Sequence, residues 1–157
     1  MLELLLRKLS QWLSKRNSQS KPAETEYKSV SVMTITNAEL FALLTSHFPN
    51  VPVYMSDSLY RLCHPDDMAW FLANDATNRL EYEAETYDCD NFARTLWGNF
   101  GVKGWADLTF GICWTELHAL NLFIDVDKNI WFLEPQTDEI QSRLKSWQGQ
   151  SLRFIIM

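Results

Sequence analysis

Three short segments of this 157-residue chain contain residue types that support nucleophilic chemistry. The first is Asp-Cys-Asp-Asn-Phe-Ala around Cys89, the second begins at His118, and the third is Glu134-Pro135-Gln136. Nucleophilic catalysis needs a thiolate, a base that removes the thiol proton and a third group that orients the base. Cys89, His118 and Glu134 supply these three groups in that chain order. The sequence therefore predicts a site with a cysteine nucleophile.

The residues around Cys89 predict that its thiol lies in the first turn of a helix. Asp88 is a preferred N-cap residue, and a stripe of apolar residues follows it. Unpaired N–H groups and a partial positive charge at a helix N-terminus favour the thiolate, and the Cys89 N–H can form half of an oxyanion hole. The alternative is an inert core cysteine, which is our assignment for Cys63 and Cys113.

Acidic residues surround the predicted nucleophile. Asp88 and Asp90 flank the thiol and should raise its pKa, unless they point away or a cation neutralises them. Asp125, Asp127 and Asn129 form a second oxygen-rich group at a predicted turn. The two acidic groups can share a hard cation such as calcium. From spacing alone, ordinary turn residues are the favoured interpretation of the second group.

The predicted base and its partner lie on neighbouring strands. His118 opens an alternating apolar pattern, at the point where a sheet end meets a cleft. Glu134 closes the next strand, but a simple hairpin register pairs it near Leu122, so its contact with His118 requires a bulge or a strong twist. The alternatives are a core histidine and an exposed carboxylate at a strand end. Gln136 can donate a hydrogen bond to an oxyanion or to a substrate.

The surrounding pattern predicts an α+β domain with helices first and an antiparallel sheet afterwards. A capping box at Thr36–Glu39 and a proline at residue 65 begin two helices before the one at Cys89. Branched and aromatic runs predict four strands, and Thr137 is predicted to cap a short helix. The predicted bounds are 108–114, 117–126, 130–133 and 151–157 for the strands and 137–144 for the short helix.

Composition and charge limit the domain organisation and the partners. We predict an amphipathic basic helix at residues 1–16, a polar linker at 17–29 and one compact domain at 30–157. The first helix can dock on the domain, on an oligomer partner or on a membrane surface. A net charge of −6 and an isoelectric point near 5.0 give no electrostatic footprint for nucleic acid. Three widely spaced cysteines without a CxxC pair suggest a reducing cytoplasm.

The motifs around Cys89, His118 and Glu134 resemble those of the papain-like and transglutaminase-like cysteine peptidases. Within that group they are most similar to the C-terminal peptidase domain of the fairy-ring mushroom agglutinin, over residues 81–137. The resemblance implies a papain-like fold, with Cys89 as nucleophile, His118 as general base and Glu134 as orienting acid. It also implies calcium dependence, although Asn91 replaces an acidic residue of the pattern.

These observations predict a cysteine peptidase-like hydrolase that cleaves amide bonds in a protein or peptide substrate. One alternative uses the same three residues in a cell-wall amidase or an acyl transferase, because cleft shape decides the acceptor. A second alternative is a catalytically silent version of the fold that acts as a binding or structural module. No cofactor is required by the sequence, and calcium is the one that the motifs suggest.

Overall fold

The computed structural model describes residues 27–157. The predicted helix at residues 1–16 and most of the predicted linker at 17–29 lie outside the described residues. Within the described part, no helix has the length and apolar composition that crossing a membrane requires.

Three α-helices precede most of the sheet strands, as the capping signals predict. In the first helix, the Thr36 side chain accepts from the Glu39 N–H, and the Glu39 carboxylate accepts from the Thr36 N–H at 2.9 Å. Pro65 occupies the first position of the second helix, where its missing N–H costs nothing. The third helix begins at Cys89, as predicted. The helices are α1 (Asn37–His47), α2 (Pro65–Asn74) and α3 (Cys89–Phe100).

Eight strands form one large and one small sheet within the described residues. The large sheet has the strand order β2-β8-β4-β5-β6-β7, and β1 pairs with β3 in a separate antiparallel pair. The strands are β1 (Thr34–Thr36), β2 (Val53–Tyr54), β3 (Leu59–Arg61), β4 (Phe110–Thr115), β5 (Ala119–Ile124), β6 (Ile130–Glu134), β7 (Glu139–Gln141) and β8 (Leu152–Ile156). The fold class is therefore α+β, as predicted.

Two details of the sheet correct the prediction. The large sheet is mixed, because β2, which lies between α1 and α2 in the sequence, pairs in parallel with β8. Residues 137–144 form no helix; they contain β7, which pairs with β6 at the sheet edge. The Asp138 backbone has φ 59°, and this left-handed residue reverses the chain into a hairpin where a helix was predicted.

The large sheet separates two apolar layers. On one face, alternate residues of β5 (Leu120, Leu122) pack with Leu40 and Leu44 of α1. On the other face lies α3, and the buried Asn121 of β5 donates from Nδ2 to the carbonyl oxygens of Ala93 (3.0 Å) and Gly111 (3.2 Å). The first of these hydrogen bonds ties α3, which begins at Cys89, to the middle of the sheet, and the second joins β5 to β4.

Candidate functional site

Cys89 lies half-buried at the N-terminus of α3, next to the first residue of β5. Burial raises the pKa of the Cys89 thiol, and the carboxylates of Asp88 and Asp90 raise it further. The backbone N–H of Ala119 donates a hydrogen bond to the sulfur and lowers the pKa in part. The net direction is upward, which favours the thiol over the thiolate.

The two flanking carboxylates interact with each other and with an arginine. A hydrogen bond with the Asp88 side chain raises the pKa of Asp90, and burial adds to this effect. The Arg94 guanidinium, one helical turn further on, contacts Asp90 Oδ2 at 2.6 Å. Asn91 Oδ1 accepts from the Asp88 N–H at 3.2 Å and completes the first turn of α3. Arg94 thus supplies positive charge beside Asp90 from within the chain.

His118 and Glu134 form a buried pair beside this helix end. His118 Nε2 lies 2.8 Å from Glu134 Oε2, and the two residues are 8% and 2% exposed. An ionised carboxylate can only accept a hydrogen bond, so Nε2 of His118 carries the proton of this bond. Nδ1, the other nitrogen of the ring, takes no part in it. Within the described residues, no hydrogen bond involves Nδ1.

The register of β5 and β6 explains this contact and corrects the predicted one. Asn121 pairs with Leu133, which places Glu134 opposite Leu120 and not near Leu122. His118 is then the diagonal neighbour of Glu134 on the same side of the hairpin. Diagonal neighbours lie within reach of long side chains, so the pair needs no bulge between these strands. The register shift that does occur lies elsewhere, between Trp114 and Thr115 opposite β8.

Glu134 has a second buried partner that the sequence did not reveal. Gln148 is fully buried in a 3-10 turn before β8, and its Nε2 donates to Glu134 Oε2 at 2.9 Å. The neighbouring Trp147 is 55% exposed and places its ring 5.0 Å from the His118 ring, at an interplanar angle of 60°. Neither Gln148 nor Trp147 belongs to a recognisable motif. The return of the chain to β8 brings Gln148 to Glu134 and Trp147 to His118.

Thr115 and Gly149 hold this turn against the histidine. Thr115 Oγ1 accepts from the His118 N–H at 2.8 Å and also contacts the carbonyl oxygens of His118 and Gln148. Gly149 has φ +91°, and a Cβ there would lie 2.8 Å from Thr115 Oγ1. A glycine is therefore required both for the backbone conformation and for the close approach.

Gln136 lies two residues after Glu134, the predicted orienting acid. Its backbone N–H faces Glu134 Oε1 at 3.4 Å, and its half-buried side chain makes no hydrogen bond to another described residue. The structure thus brings Cys89, His118, Glu134 and Gln136 to one end of the sheet. Their predicted chemical roles remain predictions.

The two acidic groups predicted to share a cation do not meet. Asp88 and Asp90 lie beside the start of β5, whereas Asp125 and Asp127 follow its end. The Asp125 carboxylate already accepts from the Asp127 and Asn129 N–H groups, from Asn129 Nδ2 and from Trp131 Nε1. Across residues 27–157, no three acidic, histidine or cysteine side chains cluster as metal ligands would. The structure therefore separates the two acidic groups, and the second group is the hydrogen-bonded turn that its spacing favoured.

Comparison with known proteins gives a structural likeness. No protein-family model and no curated protein sequence matches the chain. A solved structure described as "PSL1a-E64 complex" superposes with a TM-score of 0.69 at 20% identity, over 81% of this chain and 51% of that chain. A Polyporus squamosus lectin bound to the epitope Neu5Acα2-6Galβ1-4GlcNAc superposes with a TM-score of 0.65 at 20% identity, over 81% of this chain and 50% of that one.

The likeness corrects part of the sequence-based identification. The second neighbour is named as a lectin, and neither description names a peptidase. The identification as the agglutinin's peptidase domain, the cysteine peptidase activity and the protein or peptide substrate are therefore corrected to a likeness with a lectin structure. At 20% identity this likeness establishes a shared fold alone. The chain spans about half the length of either structure.

Proposed function

We propose that this chain is a glycan-binding module of papain-like α+β fold, with its binding cleft at His118 and Trp147. The observation that carries the proposal is the pairing of these two rings, 5.0 Å apart, beside the half-buried Cys89. Binding sites commonly combine aromatic surface with a few fixed polar groups. A sugar ring offers the complementary features, an apolar C–H face and hydroxyl groups around its edge.

The polar side of the cleft is already held in place before a ligand binds. Gln148 and His118 both hydrogen-bond to Glu134 Oε2, at 2.9 Å and 2.8 Å, and all three side chains are buried. The His118 ring therefore has one orientation, and its Nδ1 forms no hydrogen bond within the described residues. A ligand that meets a fixed partner loses less conformational entropy on binding, which favours affinity.

The raised pKa of the Cys89 thiol agrees with a binding role. Burial and two neighbouring carboxylates raise the pKa of its thiol, whereas a reactive thiolate needs a lowered pKa. The lectin with a similar fold is described with a sialylated trisaccharide, and this supports a glycan as the ligand class to test first. Because the chain spans about half of that lectin, the assignment of this ligand to the present cleft is our proposal.

Titration with Neu5Acα2-6Galβ1-4GlcNAc, and with Galβ1-4GlcNAc, tests the binding proposal. Calorimetry on the wild type, Trp147→Ala and a control variant, Tyr54→Ala, gives the affinities. Tyr54 is also an exposed aromatic residue, 60% accessible, but it lies in the edge strand β2. We expect saturable binding that Trp147→Ala weakens about tenfold or more and Tyr54→Ala leaves unchanged. Equal affinity of both variants would reject the cleft as the binding site.

Acyl transfer through Cys89 is the second candidate function. The observation that favours it is the position of the thiol, at a helix N-terminus and bonded to the N–H of Ala119, the residue after a histidine held by a carboxylate. In this mechanism Cys89 Sγ attacks an ester carbonyl, His118 passes the thiol proton to the departing alkoxide, and an acceptor amine then displaces the thiolate from the acyl-enzyme. Glu134 orients His118, and Gln136 donates to the oxyanion.

The reaction of Cys89 with iodoacetamide separates the two candidates. A rate that stays high well below pH 8, and falls in His118→Ala, supports acyl transfer, because only an activated thiolate reacts under those conditions. A slow rate that rises with pH as for an ordinary thiol, and does not respond to His118→Ala, supports the binding module. A fast, His118-dependent reaction would be followed by an ester substrate with and without an amine acceptor.

A further inference from the structure

A second site lies away from the proposed glycan cleft. A groove of about 790 Å³ opens between the end of α1, the turn that joins β5 to β6, and the segment after β7. Neither His118 nor Trp147 lines it, and Cys89 and Glu134 are also absent from its walls. Its volume lies within the range of small-molecule sites, about 300–1,000 Å³.

The floor of the groove is apolar and continuous with the core. Phe48, Ile130 and Leu144 are partly buried and pack against the core cluster of the α1 face. The Phe48 ring lies 6.1 Å from the ring of the buried Phe132. The Trp131 indole is fixed, because its Nε1 donates to Asp125 Oδ2 at 2.7 Å. A ligand with a hydrocarbon body could cover this floor and remove apolar surface from water.

The rim of the groove is cationic in a chain of net charge −6. His47, Lys128 and Arg143 line it, and no aspartate or glutamate does. Lys128 and Arg143 form no salt bridge with any residue between 27 and 157. Lys128 lies in the tight turn between β5 and β6, where its backbone has φ 63°. The arginine guanidinium presents a planar fork of N–H donors that matches a carboxylate.

We propose that this groove binds an amphipathic carboxylate, that is, a ligand with one carboxylate head and a hydrocarbon body. The carboxylate pairs with Arg143 and Lys128, and the hydrocarbon lies on Phe48, Ile130 and Leu144. The charge of the rim selects the head group, and the apolar floor selects the body. This site is independent of the proposed glycan cleft, since no side chain of that cleft belongs to it.

Calorimetric titration with decanoate and with decanol tests this inference on the full chain. The two probes share the hydrocarbon and differ in the carboxylate. We expect decanoate to bind about tenfold or more tightly than decanol, because the carboxylate gains charge-assisted hydrogen bonds. The double variant Arg143→Gln/Lys128→Gln should lose this preference. Lys145→Gln should keep it, because Lys145 pairs with Glu139 and does not line the groove.

Two results would overturn the proposal. Equal affinity for decanoate and decanol would show that the rim charges do not recognise the head group. An unchanged preference in the double variant, with its unfolding transition intact, would place decanoate elsewhere. The variant Leu144→Gln changes the floor of the groove and should weaken the binding of both decanoate and decanol. An unchanged affinity for both would also reject the groove.

Discussion

His118 and Glu134 are diagonal neighbours across β5 and β6, joined by a 2.8 Å hydrogen bond from an imidazole to a buried carboxylate. The carboxylate also accepts from Gln148, so one acid orients two side chains from two further parts of the chain. A buried acid of this kind is retained only when its oxygens are paired. The end of the sheet is thus organised around Glu134.

Replacing this acid tests its role in holding the site. Glu134→Gln keeps the size of the side chain but replaces the charge-assisted hydrogen bonds with neutral ones. It also places an amide group opposite the amide of Gln148. We expect a loss of about 1–3 kcal/mol in the free energy of unfolding, measured with urea. Glu139→Gln is the control, since its exposed pair with Lys145 should be worth about 0–1 kcal/mol. Similar losses in both variants would contradict the central role of Glu134.

The three cysteines should differ in their access to alkylating agents. Burial raises the pKa of Cys63 to about 12 and raises the pKa of the fully buried Cys113 as well. A raised pKa lowers the thiolate fraction at a given pH, so both thiols should stay unlabelled in the folded protein. Cys89 is half-buried and should be labelled slowly near pH 8. Peptide mass mapping after iodoacetamide treatment should find one labelled site when folded and three in denaturant, whereas labelling of Cys113 in the folded protein would contradict this burial.

Two glycines with the same backbone conformation provide a matched steric test. Gly149 and Gly104 both have φ +91°, but only a Cβ at Gly149 would meet the Thr115 hydroxyl and Glu116. Gly104→Ala should cost about 1 kcal/mol for its left-handed backbone alone. Gly149→Ala should cost more, by about 1–3 kcal/mol, because the turn that carries Gln148 must shift. Equal melting temperatures would show that the contact with Thr115 is not tight.

The Asp125 turn predicts a specific acid sensitivity. Burial alone would raise the pKa of this carboxyl, but donors from Trp131, Asn129 and Asp127 overcome it and hold the pKa below its usual range. A lowered pKa in the folded state means that the stabilisation is present above the unfolded pKa, near 3.9, and is lost as the pH falls through the folded value. Asp125→Asn should therefore reduce stability near pH 7 and flatten its decline below about pH 4.

Urea titrations of the wild type and Asp125→Asn at a series of pH values give the two slopes. Parallel curves, with the same decline in acid, would show that the Asp125 carboxylate contributes no pH-dependent stability.

Local signals in the sequence predicted much of the fold. The capping box at Thr36, the proline at residue 65 and Asp88 before Cys89 mark the starts of three helices, because helix ends have specific hydrogen-bonding needs. The parallel strand β2 and the hairpin at Asp138 were missed. Both depend on pairing with distant or late segments, and no residue pattern within them reports that pairing.

The candidate site was predicted only where its residues belong to motifs. Cys89, His118 and Glu134 were identified from the sequence, but their contact depends on a register that the turn length alone did not give correctly. Gln148 and Trp147 were missed, since the return of the chain to β8 brings them to Glu134 and His118. Thr115 was also missed, although it contacts the His118 N–H across the tight turn that follows β4. The predicted metal residues do not meet, because Asp88 and Asp90 lie beside the start of β5 and Asp125 and Asp127 follow its end, so the length of the strand separates them.

The most direct test of the proposed glycan cleft is to observe the His118 ring while Neu5Acα2-6Galβ1-4GlcNAc is added. Proton–nitrogen spectra of histidine-labelled protein report all three imidazoles, and His64, the N-cap residue of α2, is the internal control. We predict that the His118 ring signals shift and saturate with the trisaccharide while those of His64 stay in place. Saturable binding that leaves the His118 signals unchanged would contradict the account, and so would a complete absence of binding.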